Sequence, residues 1–548
     1  LSHADGRIRT QSRDVSPYLG GSPFPPIGQY GFLSDCEVTA LVAPSGNVEW
    51  LCLPRMDSPS VFGSLLDRDA GGFRFAPADT VVPAARRYLP GTMVLETSWG
   101  SPNGWIIVRD VLLIGPWHHE QDRSRTHRRA PTDYDADHAL LRMVRCVNGE
   151  VQVTMDCEPR FEYGLVHGSW EHSAEGYHEA VCRGEGSDVE LKLTSDMNIG
   201  FEGPRATART LVKEGDTLYV ALSWSQHPAP QSYEEAYDRL VWTAHHWQHW
   251  LDHGNFPDHP WRTHLQRSAL TLKGLSYAPT GALVAAATTS LPESPGGERN
   301  WDYRYTWMRD ATFTLQGLHA LGLTWEADDF IQFVGDVDRN AEGGLQIMYG
   351  IGGETDLPES TLDHLTGYEG AKPVRLGNGA HDQRQNDVYG AVLDSIYLHQ
   401  KEYGHNSPRL WPVIEDQARC AAEVWRQPDQ GIWECRGESR HYVASKMMCW
   451  VALDRAARLA ARRGYEDLAD EWRLVANDIH DDVLTNGVDA RGVFTQHYDT
   501  DALDAANLLI PLVRFMPTGD ERVRSTVLAI ADELTENGLV LRYRTDET

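Results

Sequence analysis

The stretch Arg299-Asn300-Trp301-Asp302-Tyr303-Arg304-Tyr305-Thr306-Trp307-Met308-Arg309-Asp310 decides how this chain is read. It sets aromatic rings among arginines, aspartates and an asparagine, and an apolar pattern at helical spacing follows: Phe313, Leu315, Leu318, Leu321. Such spacing gathers the apolar residues on one buried stripe, so Trp307-Met308-Arg309-Asp310 opens a helix. Asp310 then falls in the first turn, where the macrodipole favours a carboxylate. Rings beside forked cation–carboxylate pairs suit a sugar, because rings cover its CH faces and charged groups fix its hydroxyls. A second cluster, Gly431-Ile432-Trp433-Glu434-Cys435-Arg436-Gly437, sets a carboxylate between a Trp and an Arg. An apolar wall raises a carboxyl pKa and keeps its proton available, which makes Glu434 the candidate general acid. The two clusters together point to cleavage of a glycosidic bond.

Working outward, the pattern changes near Ser232. Residues 1–26 are polar and proline-rich and read as a tail. Residues 27–232 hold short alternating runs broken by turn residues, which read as an antiparallel β-sandwich. Its strands are expected near 37–43, 48–53, 93–97, 105–114, 139–147, 151–158, 189–194 and 217–224, with Asn148-Gly149 as a hairpin turn. The His- and Arg-rich segment 116–133 reads as a long loop. Residues 233–257 hold a helix that links the halves. Residues 258–548 read as amphipathic helices near 261–277, 309–322, 325–341, 387–403, 409–426, 442–463, 466–484, 501–516 and 521–536. Long loops at 280–308, 343–386 and 427–441 separate them, and such loops carry function on a rigid scaffold. A glycine-rich loop, 365–379, leads to Gln385, Asp387 and Tyr389, all able to hydrogen-bond hydroxyls.

Composition narrows the class. A chain of 548 residues exceeds the ~250–300 at which single cores stop growing, so more than one domain is expected. The net charge of −29 argues against nucleic acid and anionic membrane surfaces as partners, and does not repel a neutral sugar. The 18 Trp fit sugar binding. The eight cysteines are scattered, with no metal-ligand spacing, which fits a reducing, cytoplasmic setting. No run approaches the ~20 apolar residues of a membrane span. The start has no apolar run and so no visible signal peptide, and it lacks Met, which suggests that a few residues are missing. Asp356, Glu359 and Asp363 read as a solvated helix start rather than a metal site, and no metal is expected. Nucleophile-elbow, dinucleotide and P-loop motifs are absent.

With these residues in view, the chain resembles glycoside hydrolase family 15, the glucoamylase, glucodextranase and trehalase family, and within it the mycobacterial and actinobacterial trehalases. The resemblance rests on Tyr30-Gly31-Phe32-Leu33-Ser34-Asp35-Cys36, continuing to Val48-Glu49-Trp50-Leu51-Cys52-Leu53-Pro54-Arg55-Met56-Asp57-Ser58-Pro59, on the stretch ending at Asp310, on 367–390 and on the Trp433-Glu434 loop. It implies a β-sandwich followed by an (α/α)6 barrel and an inverting mechanism, in which an acid and a base stand about 6.5–9.5 Å apart to admit water. It implies that Glu434 is the acid and that Arg309 and Asp310 hold hydroxyls. Trp307, Tyr303 and Trp433 wall the site, and Gln385, Asp387 and Arg542 face substrate. Cys435 stands where many glucoamylases carry a second glutamate, and with Arg436 following it the leaving-group subsite leans toward α,α-trehalose. The family's base motif lies a little beyond the match to Leu541-Arg542-Tyr543, so the base is expected beyond Thr548 and the barrel is expected to be truncated at its C-terminal end. No essential cofactor is expected, and the resemblance names phosphate and magnesium as candidate activators. The acidic surface and long loops permit a homo-oligomer. Competing readings are an exo-acting glucoamylase or glucodextranase, a phosphorolytic enzyme using Lys372, Arg375, Arg384 and Arg436 to bind phosphate, and a non-catalytic carbohydrate-binding protein.

Overall fold

A computed structural model describes residues 22–115, 135–173, 176–224, 228–339, 343–404 and 408–544. The segment 116–133 and residues 1–21 of the tail lie outside the described residues. The chain divides into two compact units. The first runs to Ala278 and takes in Ala286–Arg304 and Ser360–Leu376, and the second holds Pro279–Ala285, Tyr305–Glu359 and the chain from Gly377 onward. The boundary therefore cuts the stretch that opened this reading between Arg304 and Tyr305.

The first unit is an antiparallel sandwich organised by one long strand, Asp135–Glu158. Its first half pairs with Gly104–Gly115 and Thr217–Ser223. Its second half pairs with Gly72–Pro77 and Arg205–Lys213. The two sheets close over one core of alternating residues, among them Phe73, Phe75, Trp99, Ile106, Val108, Leu140, Met155, Leu193 and Val220. Arg142 is buried in that core. Its Nε donates to Asp110 Oδ1 at 2.8 Å, its Nη2 to the Gly46 carbonyl at 2.7 Å, and its guanidinium lies 4.9 Å from the Phe73 ring centroid. The hairpin expected at Asn148-Gly149 is not formed. Each flank finds its own partner strands, so the chain continues through the pair as one strand. Gly149 adopts φ +69°, and a Cβ there would stand 2.0 Å from the Asn103 carbonyl oxygen.

Gly104–Gly115 alternates at its start and is buried throughout its second half. The helix Tyr233–Asp252 explains the change: Ala236 and Leu240 cover Val111, Leu113, Leu141 and Tyr219. Thr243 Oγ1 fixes that contact, accepting from Ile114 N–H at 3.1 Å and donating to the Ile114 carbonyl at 3.0 Å. The glycine-rich segment is structural. Ser360–Thr361 pairs with Arg375–Leu376, and Leu365, Tyr368 and Val374 pack on Trp50, Leu65 and Tyr163.

The second unit alternates two kinds of helix. Val443–Arg462 buries 15 of its 20 residues, so it is covered nearly all round, as an inner helix must be. Its successor Glu466–Asn486 buries only Ala469, Trp472, Ala476, Ile479 and Val483, a single stripe. Asp387–Tyr403 packs against Val443–Arg462, and Met308–Ala320 packs against Asp387–Tyr403; these two inner helices are each followed by an outer one, Trp411–Val424 and Trp325–Asp336. This is the inner-then-outer order expected of an (α/α)6 barrel. Residues 501–516 do not form the continuous helix expected. They fold as a 3-10 turn, Ala505–Leu508, and a short helix, Leu509–Leu512. Pro511 has no N–H to extend a helix, and Arg514 turns left-handed at φ +63°. Likewise 325–341 stops at Asp336 because Val337 is extended.

Candidate active site

The N-terminal ends of two inner helices carry the candidate residues Arg309 and Asp387. Arg309 is the second residue of Met308–Ala320, and Asp387 is the first of Asp387–Tyr403. A cation in a first helical turn is disfavoured by about 0.3–1 kcal/mol. Here carboxylates offset that cost. Arg309 Nη1 donates to Gln385 Oε1 at 2.8 Å and to Asp387 Oδ2 at 3.2 Å. Its Nη2 donates to Glu434 Oε1 at 3.2 Å and stands 3.4 Å from Asp310 Oδ2. Burial by itself would lower the Arg309 pKa, but Asp387, Asp310 and Glu434 hold it above the ordinary arginine value.

Glu434 sits where the loop 427–441 reverses. Its φ of +57° is left-handed, a conformation that costs a non-glycine residue about 1–3 kcal/mol and clusters at functional sites. The backbone holds the reversal: Glu434 N–H donates to the Gly431 carbonyl and Cys435 N–H to Gln430, both at 3.2 Å. The side chain, 23% exposed, accepts from Trp307 Nε1 at 2.6 Å as well as from Arg309. Sequence reasoning surrounded Glu434 with an apolar wall. The structure instead aims two N–H donors at Oε1, because the Trp307 indole faces it edge-on with its polar tip.

Trp433 turns the other way, its Nε1 donating to buried Asp504 Oδ1 at 2.9 Å. Arg542 places its guanidinium 5.6 Å from the Trp433 ring centroid. Arg436, 47% exposed, donates from Nη2 to Glu359 Oε2 at 3.0 Å, which also accepts Gly379 N–H at 2.9 Å. Glu359 therefore belongs to a loop network, preceding the strand Ser360–Thr361, and not to the helix start expected of it. Asp387 is buried, and its Oδ1 has no hydrogen-bond partner among the described residues.

The structure thus brings together Trp307, Arg309, Asp310, Gln385, Asp387 and Glu434, with Trp433, Arg436 and Arg542 on the loop and its neighbours. Tyr303 falls in the first unit, its carbonyl accepting from Ala286 N–H at 2.9 Å. The cations considered for phosphate each have protein partners. Lys372 donates to the Asp363 carbonyl at 3.3 Å, Arg375 donates to Glu298 and lies 4.3 Å from the Trp301 ring centroid, Arg384 donates to Gln427, and Arg436 to Glu359. No group of His, Cys, Asp and Glu suited to a metal occurs among the described residues.

Sequence reasoning missed two buried carboxyls. Asp504, pushed up to about 6 by burial, holds Trp433. Asp429 closes the base of the Glu434 loop through paired backbone bonds with Arg440, and its Oδ2 accepts Asn386 N–H at 2.9 Å. Burial pushes Asp429 up to about 7. Asp504 sits in no motif and only the folded chain joins it to the loop, and Asp429, within the loop, meets Asn386 only in the folded chain.

Comparison with known proteins places the chain in a family. The family model for glycosyl hydrolases family 15 matches residues 260–548, and a trehalase-like N-terminal model matches residues 14–115. The chain is 58% identical over 542 residues to a trehalase of Mycolicibacterium smegmatis, covering 97% of this chain and 81% of that one. It is 58% identical over 533 residues to a trehalase of Mycobacterium tuberculosis, covering 96% and 78%. The crystal structure of a bacterial glucoamylase complexed with acarbose superposes with a TM-score of 0.64 at 11% identity, over 92% of this chain and 77% of that one. At that identity the superposition bears on the fold alone: a sandwich followed by a helical barrel.

Proposed function

The chain belongs to glycosyl hydrolases family 15, and we propose that it hydrolyses α,α-trehalose to two glucose molecules by an inverting displacement. The trehalase relatives support the substrate. The observation that carries the mechanism is Glu434 held by Trp307 and Arg309 at Oε1, with no partner at Oε2 among the described residues. Oε2 then carries the proton that Glu434 gives to the glycosidic oxygen as the C–O bond breaks. Water attacks the anomeric carbon from the opposite face and loses its proton to a second carboxylate, a role assigned to none of the described residues. Asp387 Oδ1, without a hydrogen-bond partner among the described residues, and the half-exposed Asp310 carboxylate, paired with Arg309 at 3.4 Å through Oδ2, take sugar hydroxyls. Arg309 spends its donors on the protein, so its part is to hold the acid and Asp387. Trp433, Arg436 and Arg542 form the side of the site that meets the leaving glucose.

None of the eight cysteines is joined in a disulfide, which supports a reducing, cytoplasmic setting. No helix among the described residues is long and apolar enough to cross a membrane.

Proton NMR of the anomeric signals tests the proposal. Equal early α- and β-glucose from trehalose is expected, since one glucose inverts and the other leaves with its configuration kept. Inert trehalose with β-glucose released from maltose would overturn the substrate, and a sugar phosphate formed in phosphate buffer would replace hydrolysis by phosphorolysis.

A further inference from the structure

We propose that Asp504 is a positioning residue, setting the attitude of the acid loop through the indole of Trp433. Asp504 lies 71 residues beyond Trp433 in sequence and is buried, yet its Oδ1 takes the Trp433 Nε1–H at 2.9 Å. The same oxygen accepts Ala506 N–H at 2.7 Å and caps the turn Ala505–Leu508. The next residue ties this turn to Arg542: Ala505 N–H donates to the Arg542 carbonyl at 2.9 Å. Arg542 in turn lies over the Trp433 ring. One short segment therefore fixes the indole at its edge, through Asp504, and across its face, through Arg542.

Capping alone does not call for this carboxyl. Serine or asparagine caps as well, and burying a carboxyl is costly unless its oxygens are used. The second use is the indole. Trp433 and Glu434 share a peptide bond, and Glu434 is held left-handed at φ +57°. An indole free to swing would let that strained reversal relax and carry the Glu434 carboxyl away from Trp307 and Arg309. Asp504 thus touches no substrate and acts through another side chain.

The inference rests on Glu434 being the acid, and the experiment separates the two. Four single variants of the full chain are assayed on trehalose: Asp504→Ser, Asp504→Asn, Trp433→Phe and Glu434→Gln. Serine keeps the cap but is too short to reach the indole, whereas asparagine keeps an acceptor oxygen. Asp504→Ser and Trp433→Phe are each expected to lower kcat/KM about ten-fold, the upper end of what one hydrogen bond contributes, and Asp504→Asn to restore near-normal activity. Asp504→Ser made in the Trp433→Phe background is expected to add no further loss, because the two act as one unit. Full additivity, or a lower Tm with kcat/KM within two-fold of the parent, would reduce Asp504 to a structural cap. If Asp504→Ser does not fold, full activity of Trp433→Phe overturns the proposal by itself. An active Glu434→Gln would instead remove the acid assignment beneath it.

Discussion

Arg304 and Arg309 stand five residues apart in one stretch, and both are buried among carboxylates and rings, yet they do opposite things. Arg304 belongs to the sandwich unit and is closed on all sides. Its Nε and Nη2 grip Asp302 at 2.9 and 2.8 Å, and Nη1 reaches the Ser58 carbonyl at 2.9 Å. Nη2 also meets Tyr163 Oη at 3.0 Å. The Trp50 and Tyr163 rings lie within 5.9 Å of its guanidinium. Arg309 belongs to the helical unit and is open. Two of its partners, Asp310 and Glu434, reach solvent, and Asp387 keeps one oxygen unpaired among the described residues. A saturated network holds a fold. A network whose outer oxygens remain unused is prepared for something that arrives.

The largest effect expected falls on the open side. Glu434→Gln keeps an oxygen for Trp307 and Arg309 but removes the transferable proton, so kcat on trehalose should fall about 10²–10⁴-fold with Tm nearly unchanged. Near-normal turnover would place the acid elsewhere and erase the distinction between the two arginines.

The second test sets the arginines directly against each other. Arg304→Met strips the buried Asp302 carboxylate of its guanidinium partner, a loss of about 3–5 kcal/mol, so Tm should drop by about 10 °C while kcat/KM of the folded fraction changes little. Arg309→Ala should lower kcat/KM about 10–10²-fold, with kcat and KM both affected, because it releases Glu434 and Asp387 together. Thermal unfolding and steady-state kinetics on both variants read the contrast. Equal effects of the two substitutions on kcat/KM would show that Arg304 belongs to the site as well.

The same contrast marks what could be read before folding. The helix Glu466–Asn486 was legible from its single apolar stripe, and the Trp433-Glu434 loop from its unusual neighbours. Asn148-Gly149 misled because a local turn signal competes with strand partners supplied by 72–77 and 205–213, and the partners prevail. The turn at Ala505–Leu508 was taken for helix because Pro511 sat inside an apolar period. Glu434 and Arg309 were visible as residue types, but the Trp307 hydrogen bond to Glu434 was not, since a ring in a motif does not reveal which way its N–H points. Asp504 and Asp429 carried no signal at all: each acts across a sequence gap that only the barrel closes.

The smallest effect expected belongs to Asp429, a closed group beside the open site. Its Oδ2 takes the Asn386 N–H, with Asp387 and Lys446 nearby, and burial holds its carboxyl up at about 7, above the ordinary aspartate value. The folded state therefore keeps a proton that the unfolded chain has released. That contribution to stability is complete below about pH 4 and is lost as pH rises through about 7. Asp429→Asn imitates the protonated form and retains an acceptor for Asn386. Relative to the parent, its Tm should improve by a few degrees between pH 5 and pH 8 while kcat on trehalose stays within a few-fold. A Tm difference that is the same at both pH values would mean that Asp429 does not hold its proton in the fold. A large loss of kcat would move it from the closed group of residues to the open one.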